Sequence, residues 1–287
     1  MANIRAAFIL VLFVIMTVAL MPLQFLAVKF HARAAKAIPH FYHRMFCRLM
    51  GMRITVIGGK MLGGALVTAN HTGWLDIPIL SAVMPASFVS KSEVARWPFF
   101  GTLARLQRTV FTHRKRADIL ADRETIKGRL IAGDALVIFP EGTSSDGNRV
   151  LPFRSALLSA AELEIGANGA SARHAIVQPI SIAYTRLHGV PMGRENRPFF
   201  AWYGDMELVP HLWESFRTGP IDVVVELHKP LTIDEAGGRK ELAVAAEKAV
   251  RAGLVRALAG THLAAQLPHQ DVDLMEALTH ANSEEAA

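Results

Sequence analysis

The sequence contains a single cysteine, Cys47, among its 287 residues. An internal disulfide is therefore excluded, which is typical of a reducing compartment. The G-x-S-x-G pattern of a serine nucleophile elbow is also absent, and this argues against an enzyme that forms a covalent intermediate on such a serine. Most histidines lack carboxylates or thiols at metal-ligand spacing. We therefore expect neither a metal ion nor an organic cofactor.

Charge is missing from the stretch between Ala6 and Val28. About 20 apolar residues suffice to cross the ~30 Å hydrocarbon core of a bilayer, whereas the apolar region of a cleaved signal peptide has only about 7–15. The stretch therefore predicts a membrane anchor. Pro22 interrupts its helical pattern, so a bent hairpin inserted in one leaflet is the alternative to a full crossing.

Basic residues without an intervening acid follow this apolar stretch: Lys29, Arg33, Lys36, Arg44, Arg48 and Arg53. By the positive-inside rule, the bulk of the chain and its active site face the cytoplasm at the inner membrane. Aromatic and aliphatic residues alternate with these cations from Lys29 to Met50, so we expect an amphipathic interfacial segment that Pro39 breaks. A core-packing helix with a solvated basic face is the alternative.

Alternation of short apolar runs with helical segments predicts an α/β domain, a mostly parallel sheet flanked by helices. This domain would span residues 51–262, after the anchor and interfacial segment (1–50) and before a loose C-terminal tail (263–287). The predicted strands are 65–69, 86–90, 108–112, 135–139, 175–183, 198–203 and 221–228, and the predicted helices are 76–84, 92–106, 117–132, 154–166 and 240–258.

A histidine and an aspartate lie five positions apart in Asn70-His71-Thr72-Gly73-Trp74-Leu75-Asp76, directly after a predicted strand. Imidazole, with a reference pKa of about 6.5, can act as a general base near neutral pH, and a carboxylate can hold its other ring nitrogen. The two side chains can meet only if Gly73 provides a turn. The alternative is an ordinary hydrogen bond at a helix start, with Asp76 as the N-cap.

A second stretch of polar residues, Phe139-Pro140-Glu141-Gly142-Thr143, follows the strand predicted at 135–139. Backbone N–H groups at such a turn can bind an anion. The carboxyl ends of parallel strands form one edge of the sheet, so this stretch and His71 are expected to lie together. An ordinary polar turn is the alternative interpretation.

These stretches resemble the first and third motifs of the glycerolipid acyltransferase family, N-H-x-x-x-x-D and F-P-E-G-T. Lys91-Ser92-Glu93, Pro98, Gly101 and Arg114 resemble the second block of that family, and Val177 to Ser181 resembles the fourth. The four blocks occur in the family's order. The sequence departs from the family pattern at Arg108, at His113-Arg114 and at Ser155, and the additional cations weaken the case for a simple phosphate acceptor.

The resemblance implies that a substrate hydroxyl attacks a fatty acyl thioester directly. His71 would be the general base and Asp76 its partner. The substrate would be held by Lys91, Arg114, Glu141, Gly142, Thr143 and Arg154. The same fold without catalysis would give a lipid-binding protein, and water as acceptor would make the protein a thioesterase.

Residues 180–215 further resemble bacterial lyso-ornithine lipid acyltransferases, through Ala183 to Gly189, Pro191 to Arg194, Ala201 to Asp205 and Pro210-His211-Leu212. Structural turns and aromatic packing are the alternative explanation. The resemblance implies a lyso-ornithine lipid as acceptor, with lysophosphatidate as the alternative. It also implies an acyl carrier protein thioester as donor, with acyl-CoA as the alternative.

The net charge of +6 and pI of about 9.7 indicate anionic partners. No recognised nucleic-acid-binding module accompanies the basic residues, so we expect membrane lipid or an acidic carrier and no nucleic acid. The cations concentrate in one part of the chain: Arg105, Arg108, Arg114, Lys115, Arg116, Arg123, Lys127 and Arg129. A solvated helix face at 115–129 would account for some of them.

Overall fold

The structure, a computed structural model, describes residues 1–59, 61–113, 116–165 and 173–261. The predicted tail at 263–287 and the candidate residue Arg114 lie outside these ranges. The described part forms the predicted α/β architecture, in which helices cover both faces of a mostly parallel sheet.

Eight strands of the described chain form the main sheet, in the order β1-β10-β8-β2-β5-β3-β4, with β9 paired to β8. Strands β2, β3, β4, β5 and β8 run parallel, whereas β10 is antiparallel to β8. The strands are β1 (Met52–Gly58), β2 (Leu66–Ala69), β3 (Ala86–Lys91), β4 (Val110–Thr112), β5 (Ala135–Ile138), β8 (Val177–Leu187), β9 (Val190–Pro191) and β10 (Ile221–Leu227); β6 (Glu164–Ile165) and β7 (Arg173–His174) form a separate hairpin.

Two apolar layers hold the sheet between helices because the central strands are buried on both faces. One layer packs against the N-terminal helices and the other against the C-terminal helix. The helices are α1 (Ala2–Phe30), α2 (Ala32–Leu49), α3 (Asp76–Val83), α4 (Phe100–Leu106), α5 (Arg116–Ile131), α6 (Leu208–Arg217), α7 (Ile233–Ala236) and α8 (Arg239–Ala259).

The first two helices form an antiparallel hairpin that turns at His31. Pro39 was expected to break the second of them, but α2 continues through it. A proline has no N–H for the carbonyl four residues earlier. Here that carbonyl, on Ala35, instead accepts a hydrogen bond from Nε2 of Gln24 at 3.0 Å. A side chain of α1 therefore replaces the missing bond and keeps α2 straight enough to continue.

Helix α1 is long and apolar enough to cross a membrane, by length and composition. Both of its ends are nevertheless bound to the rest of the protein. Near its start, Arg5 donates to the carbonyls of Met50 (2.8 Å) and Thr218 (3.0 Å). Near its end, Gln24 also donates to Leu106 O at 2.7 Å. The helix thus lies along the α/β domain for most of its length.

Several predicted elements differ from the structure. The strand predicted at 198–203 is wrong, because 197–200 forms a 3-10 turn that begins Arg197-Pro198. The helix predicted at 92–106 divides in two, since Pro98 and a left-handed Phe99 (φ 62°) separate a 3-10 segment, Ser92–Arg96, from α4. The helix predicted at 154–166 is a 3-10 helix, Ser155–Glu162. Strand β1 and helix α6 were not predicted.

Candidate active site

The candidate residues lie at one edge of the sheet, at the carboxyl ends of neighbouring parallel strands. His71 follows β2, Glu141 follows β5, and Lys91 ends β3. This is the edge at which binding sites form in parallel α/β sheets. The sequence-based prediction that the two motifs meet is therefore confirmed by the geometry.

His71 and Asp76 form a hydrogen-bonded pair. The imidazole Nδ1 lies 2.8 Å from Oδ2 of Asp76. The Asp76 carboxyl is fully buried, whereas about a fifth (22%) of the His71 side chain is exposed. Since Nδ1 faces the carboxylate, Nε2 is the ring nitrogen left for a substrate. The ring of Phe139 stacks on the imidazole at a centroid distance of 4.0 Å and restricts its rotation.

Asp76 also stabilises the turn that precedes α3. Its Oδ2 accepts the backbone N–H groups of Thr72 (2.6 Å) and Gly73 (3.0 Å). The N-cap of α3 is Leu75, so the prediction of Asp76 at that position is wrong by one residue. One carboxylate thus orients the imidazole and satisfies the N–H groups of the turn, which combines the two interpretations of the motif.

The path of this turn depends on Gly73. A Cβ atom at Gly73 would lie 2.7 Å from the backbone nitrogen of Trp202, closer than real Cβ contacts allow. That nitrogen donates to Thr72 O at 3.0 Å, and Ser145 N donates to His71 O at 2.8 Å. Two distant loops therefore fix the backbone on both sides of the imidazole.

Glu141 lies behind His71 and is 2% exposed. Its Oε1 accepts the backbone N–H of His71 at 3.0 Å. Burial raises the pKa of Glu141 to about 8, although hydrogen bonds from the backbone of His71 and Leu151 oppose this rise. In this position the side chain supports the backbone of the base. Contact between Glu141 and a substrate, which the family resemblance implies, stays a prediction.

Two cations flank the turn at Gly142. Lys91 Nζ lies 3.4 Å from Gly142 O, and a Cβ atom at Gly142 would lie 3.4 Å from the guanidinium of Arg154. The Gly142 N–H was expected to face an anion in the site. It instead donates to Phe139 O at 3.1 Å. The N–H of Thr143 is not used in any hydrogen bond of the described chain. Lys91, Arg154 and Thr143 are exposed and could together meet an anionic group.

An apolar groove of about 490 Å³ begins beside the turn that carries His71 and Asp76. Trp74, three residues after His71, contributes to its wall, and its indole N–H donates to Nδ1 of His211 at 3.0 Å. The groove is within the size range of small-molecule pockets. Its wall is formed largely by aromatic and aliphatic side chains: Phe13, Tyr42, Phe46, Trp74, Phe88, Trp97, Phe99, Phe100, Leu103, Trp202, Leu212 and Phe216. Such a surface suits a hydrocarbon chain.

The sequence did not reveal several residues that the fold brings to this pair. The Tyr184 hydroxyl lies 2.8 Å from Oδ1 of Asp76. Trp202 lies in a predicted strand, and His211 lies in the Pro210-His211-Leu212 stretch, but neither the resemblance nor the predicted strand assigns these residues a contact with the first motif. The two-residue periodicity of a strand could have indicated the direction of Tyr184. Alternate residues of β8, Ile180, Ile182 and Tyr184, face the same side of the sheet. No group of three or more potential metal ligands occurs within the described ranges.

Comparison with known proteins supports the acyltransferase resemblance of the sequence motifs. The profile of the acyltransferase family matches residues 53–195. The chain is 46% identical to the lyso-ornithine lipid O-acyltransferase of Brucella abortus (strain 2308), over 91% of this chain and 98% of that protein. It is 40% identical to the enzyme of the same name from Rhizobium meliloti (strain 1021), over 83% of this chain and 82% of the relative.

Glycerolipid enzymes are related more distantly. The 1-acyl-sn-glycerol-3-phosphate acyltransferase of Neisseria gonorrhoeae is 31% identical, over 66% of this chain and 69% of the relative. The crystal structure of the 1-acyl-sn-glycerophosphate acyltransferase PlsC from Thermotoga maritima shares the fold, with a TM-score of 0.60, 21% identity, and coverage of 89% of this chain and 97% of that one. From its motifs, its fold and these relatives, the chain belongs to the acyltransferase family and is a lyso-lipid acyltransferase.

Proposed function

We propose that this protein transfers a fatty acyl group from an acyl carrier protein thioester to the free hydroxyl of lyso-ornithine lipid, giving ornithine lipid. The observation that carries the proposal is the 46% identity to the Brucella lyso-ornithine lipid O-acyltransferase across 98% of that enzyme. The His71–Asp76 pair beside an apolar groove supplies the chemistry and the space that this reaction needs.

In the proposed reaction, Nε2 of His71 removes the proton of the acceptor hydroxyl as its oxygen attacks the thioester carbonyl. Asp76 stabilises the imidazolium that forms. The attack forms the ester C–O bond, and collapse of the tetrahedral intermediate re-forms the carbonyl and breaks the C–S bond. The leaving thiolate takes the proton from His71, so the enzyme returns to its starting state. The Thr143 N–H and the Lys91 ammonium are the candidate donors to the oxyanion.

Exposed cations near the same edge suit an acidic donor. Arg105 donates to Ala95 O at 2.7 Å and so lies next to Arg96, in the segment that follows Lys91. All three side chains are exposed. An acidic carrier protein would gain a faster encounter from such a surface. Acyl-CoA, the alternative donor, is also anionic.

Lysophosphatidate is the second candidate acceptor. The relationship to the neisserial 1-acyl-sn-glycerol-3-phosphate acyltransferase favours it, as do the two cations at Gly142, which could bind a phosphate. The same cations could bind the carboxylate of an ornithine head group. The two acceptors therefore need a direct comparison.

The acceptor experiment uses purified full-length protein, a labelled acyl carrier thioester, and each lyso-lipid in turn. We expect kcat/KM for lyso-ornithine lipid to exceed that for lysophosphatidate at least about 10-fold, the lower end of the discrimination that binding pockets achieve. Equal values would mean dual specificity, and the reverse order would contradict the proposed acceptor. Free fatty acid formed without lyso-lipid would indicate a thioesterase. Binding without either product would indicate a lipid-binding protein.

We also propose that α1 lies in the cytoplasmic leaflet of the inner membrane without crossing it. Arg5 and Gln24, near opposite ends of α1, both bind carbonyls of the α/β domain. A helix fixed in this way cannot place its N-terminus on the far side of the bilayer from that domain. Its outer surface carries large exposed apolar side chains that suit lipid: Phe8, Val11, Ile15, Val18, Leu23, Phe25, Leu26 and Phe30.

Cysteine labelling tests this topology. In a Cys47→Ala background, Ala2→Cys places the one thiol near the start of α1. In bacterial spheroplasts, we expect an impermeant maleimide to label this thiol only after lysis, because the N-terminus and the active site lie on the same side. Labelling in intact spheroplasts would show that α1 crosses the membrane. Ala156→Cys, at an exposed position of the α/β domain, serves as the matched control.

A further inference from the structure

Four hydrogen bonds converge on the buried carboxylate of Asp76. His71, Thr72 and Gly73 bind Oδ2, and all three belong to the same short turn as Asp76. Oδ1 receives its described hydrogen bond from Tyr184, at 2.8 Å and 108 positions away. The phenol is therefore the contact that ties the orientation of this carboxylate to the central sheet.

Tyr184 is held firmly enough to act as a reference point. It is 1% exposed on β8, and its ring stacks almost parallel to that of Phe200, at a centroid distance of 6.2 Å. Nε of Arg197 donates to the Tyr184 carbonyl at 3.2 Å. Burial, together with the neighbouring Asp76, raises the pKa of Tyr184 well above its usual value. The hydroxyl consequently keeps its proton and remains a donor.

We propose that Tyr184 is a positioning residue for acyl transfer, whose hydroxyl fixes the Asp76 carboxylate so that this carboxylate holds Nδ1 of His71. A buried ionised acceptor that loses a donor bears the full cost of its desolvation. Without the phenol, the remaining described donors all bind Oδ2, so the carboxylate can pivot about that oxygen. The proposal rests on the role of His71 as base and does not depend on which lyso-lipid is the acceptor.

The test is Tyr184→Phe, which removes one oxygen atom and keeps the aromatic packing. We expect kcat to fall about 10- to 100-fold, the scale of a hydrogen bond to a charged group, with little change in KM for either substrate. In this variant the negative charge of Asp76 is no longer partly neutralised by the phenol, so it favours the protonated imidazole more strongly than in the native protein. The acid limb of the pH–rate profile should therefore move to higher pH. The matched control is Tyr203→Phe, a half-exposed tyrosine on a loop.

Two other titratable groups interact with His71, Asp76 or Tyr184, and the test leaves both of them unchanged. Glu141 binds the His71 backbone, and Cys47 interacts with Tyr184 electrostatically. Neither is altered in the two variants. A shift of the acid limb in Tyr184→Phe that is absent in Tyr203→Phe therefore reports the lost phenol. A fall in kcat with an unchanged acid limb and a lower thermal midpoint would show a merely structural role and overturn the proposal.

Two further measurements separate positioning from stability. In a His71→Ala background, Tyr184→Phe should cost little more than about twofold in kcat, because its effect acts through the orientation of the His71 imidazole. A full additional loss would contradict the proposal. If Tyr184→Phe fails to fold, 3-fluorotyrosine can be incorporated into the native protein. The fluorinated phenol is a stronger donor, so the acid limb should move to lower pH, and no shift would overturn the proposal. Retained activity in His71→Ala would refute the base role instead.

Discussion

Replacing His71 with alanine is expected to reduce acyl transfer about 10²- to 10⁴-fold, the usual contribution of a general base. The loss should appear in kcat, because a general base acts on the proton as the hydroxyl oxygen attacks. Folding should persist, since the contacts of His71 with Glu141 and Ser145 use its backbone and not its imidazole. Initial rates with labelled donor, together with thermal unfolding, measure both effects.

The chain provides a matched control for this variant. His113 also bonds to an aspartate, with Nδ1 3.2 Å from Oδ1 of Asp122, but about half (48%) of its side chain is exposed. His113→Ala should leave kcat unchanged within about twofold. Normal folding with undiminished transfer in His71→Ala would refute the proposed mechanism. Equal losses in both variants would point to a general effect of removing a histidine.

The site could be predicted from the sequence where its parts are local. His71 and Asp76 belong to one turn, and a strand before each motif placed both at one sheet edge. Tyr184 could not be found in this way, because its bond to Asp76 joins residues 108 positions apart. Propensity rules also failed where a distant side chain compensates, as Gln24 does for the carbonyl that Pro39 leaves free.

The fold was predicted best in its core. Strands β2, β5 and β10 are short apolar runs whose burial leaves little choice of structure. The stretch at 198–203 shows the opposite case, since its aromatic residues have strand propensity but pack as a loop. The backbone of Trp202 binds Thr72 instead of a neighbouring strand. Tertiary contact with the catalytic turn, which no local pattern encodes, therefore decided this segment.

Asp76→Asn is the variant that separates charge from orientation. Thr72 and Gly73 both donate to the Oδ2 position, so the amide oxygen of asparagine should occupy it. The amide NH₂ then faces Tyr184, whose hydroxyl can turn and accept. His71 would keep its Nδ1 partner and its orientation, but the negative charge that stabilises the imidazolium would be gone.

We therefore expect Asp76→Asn to lower kcat about 10²- to 10⁴-fold with little change in KM, since the charge matters most when the imidazolium forms. The acid limb of the pH–rate profile should move to lower pH, opposite to the shift expected for Tyr184→Phe, because the uncharged amide no longer favours the protonated ring. Asp122→Asn, beside His113, is the matched control. If Asp76→Asn kept the acid limb and lost activity only through a raised KM, Asp76 would shape the binding site, and the base would need another source of charge stabilisation.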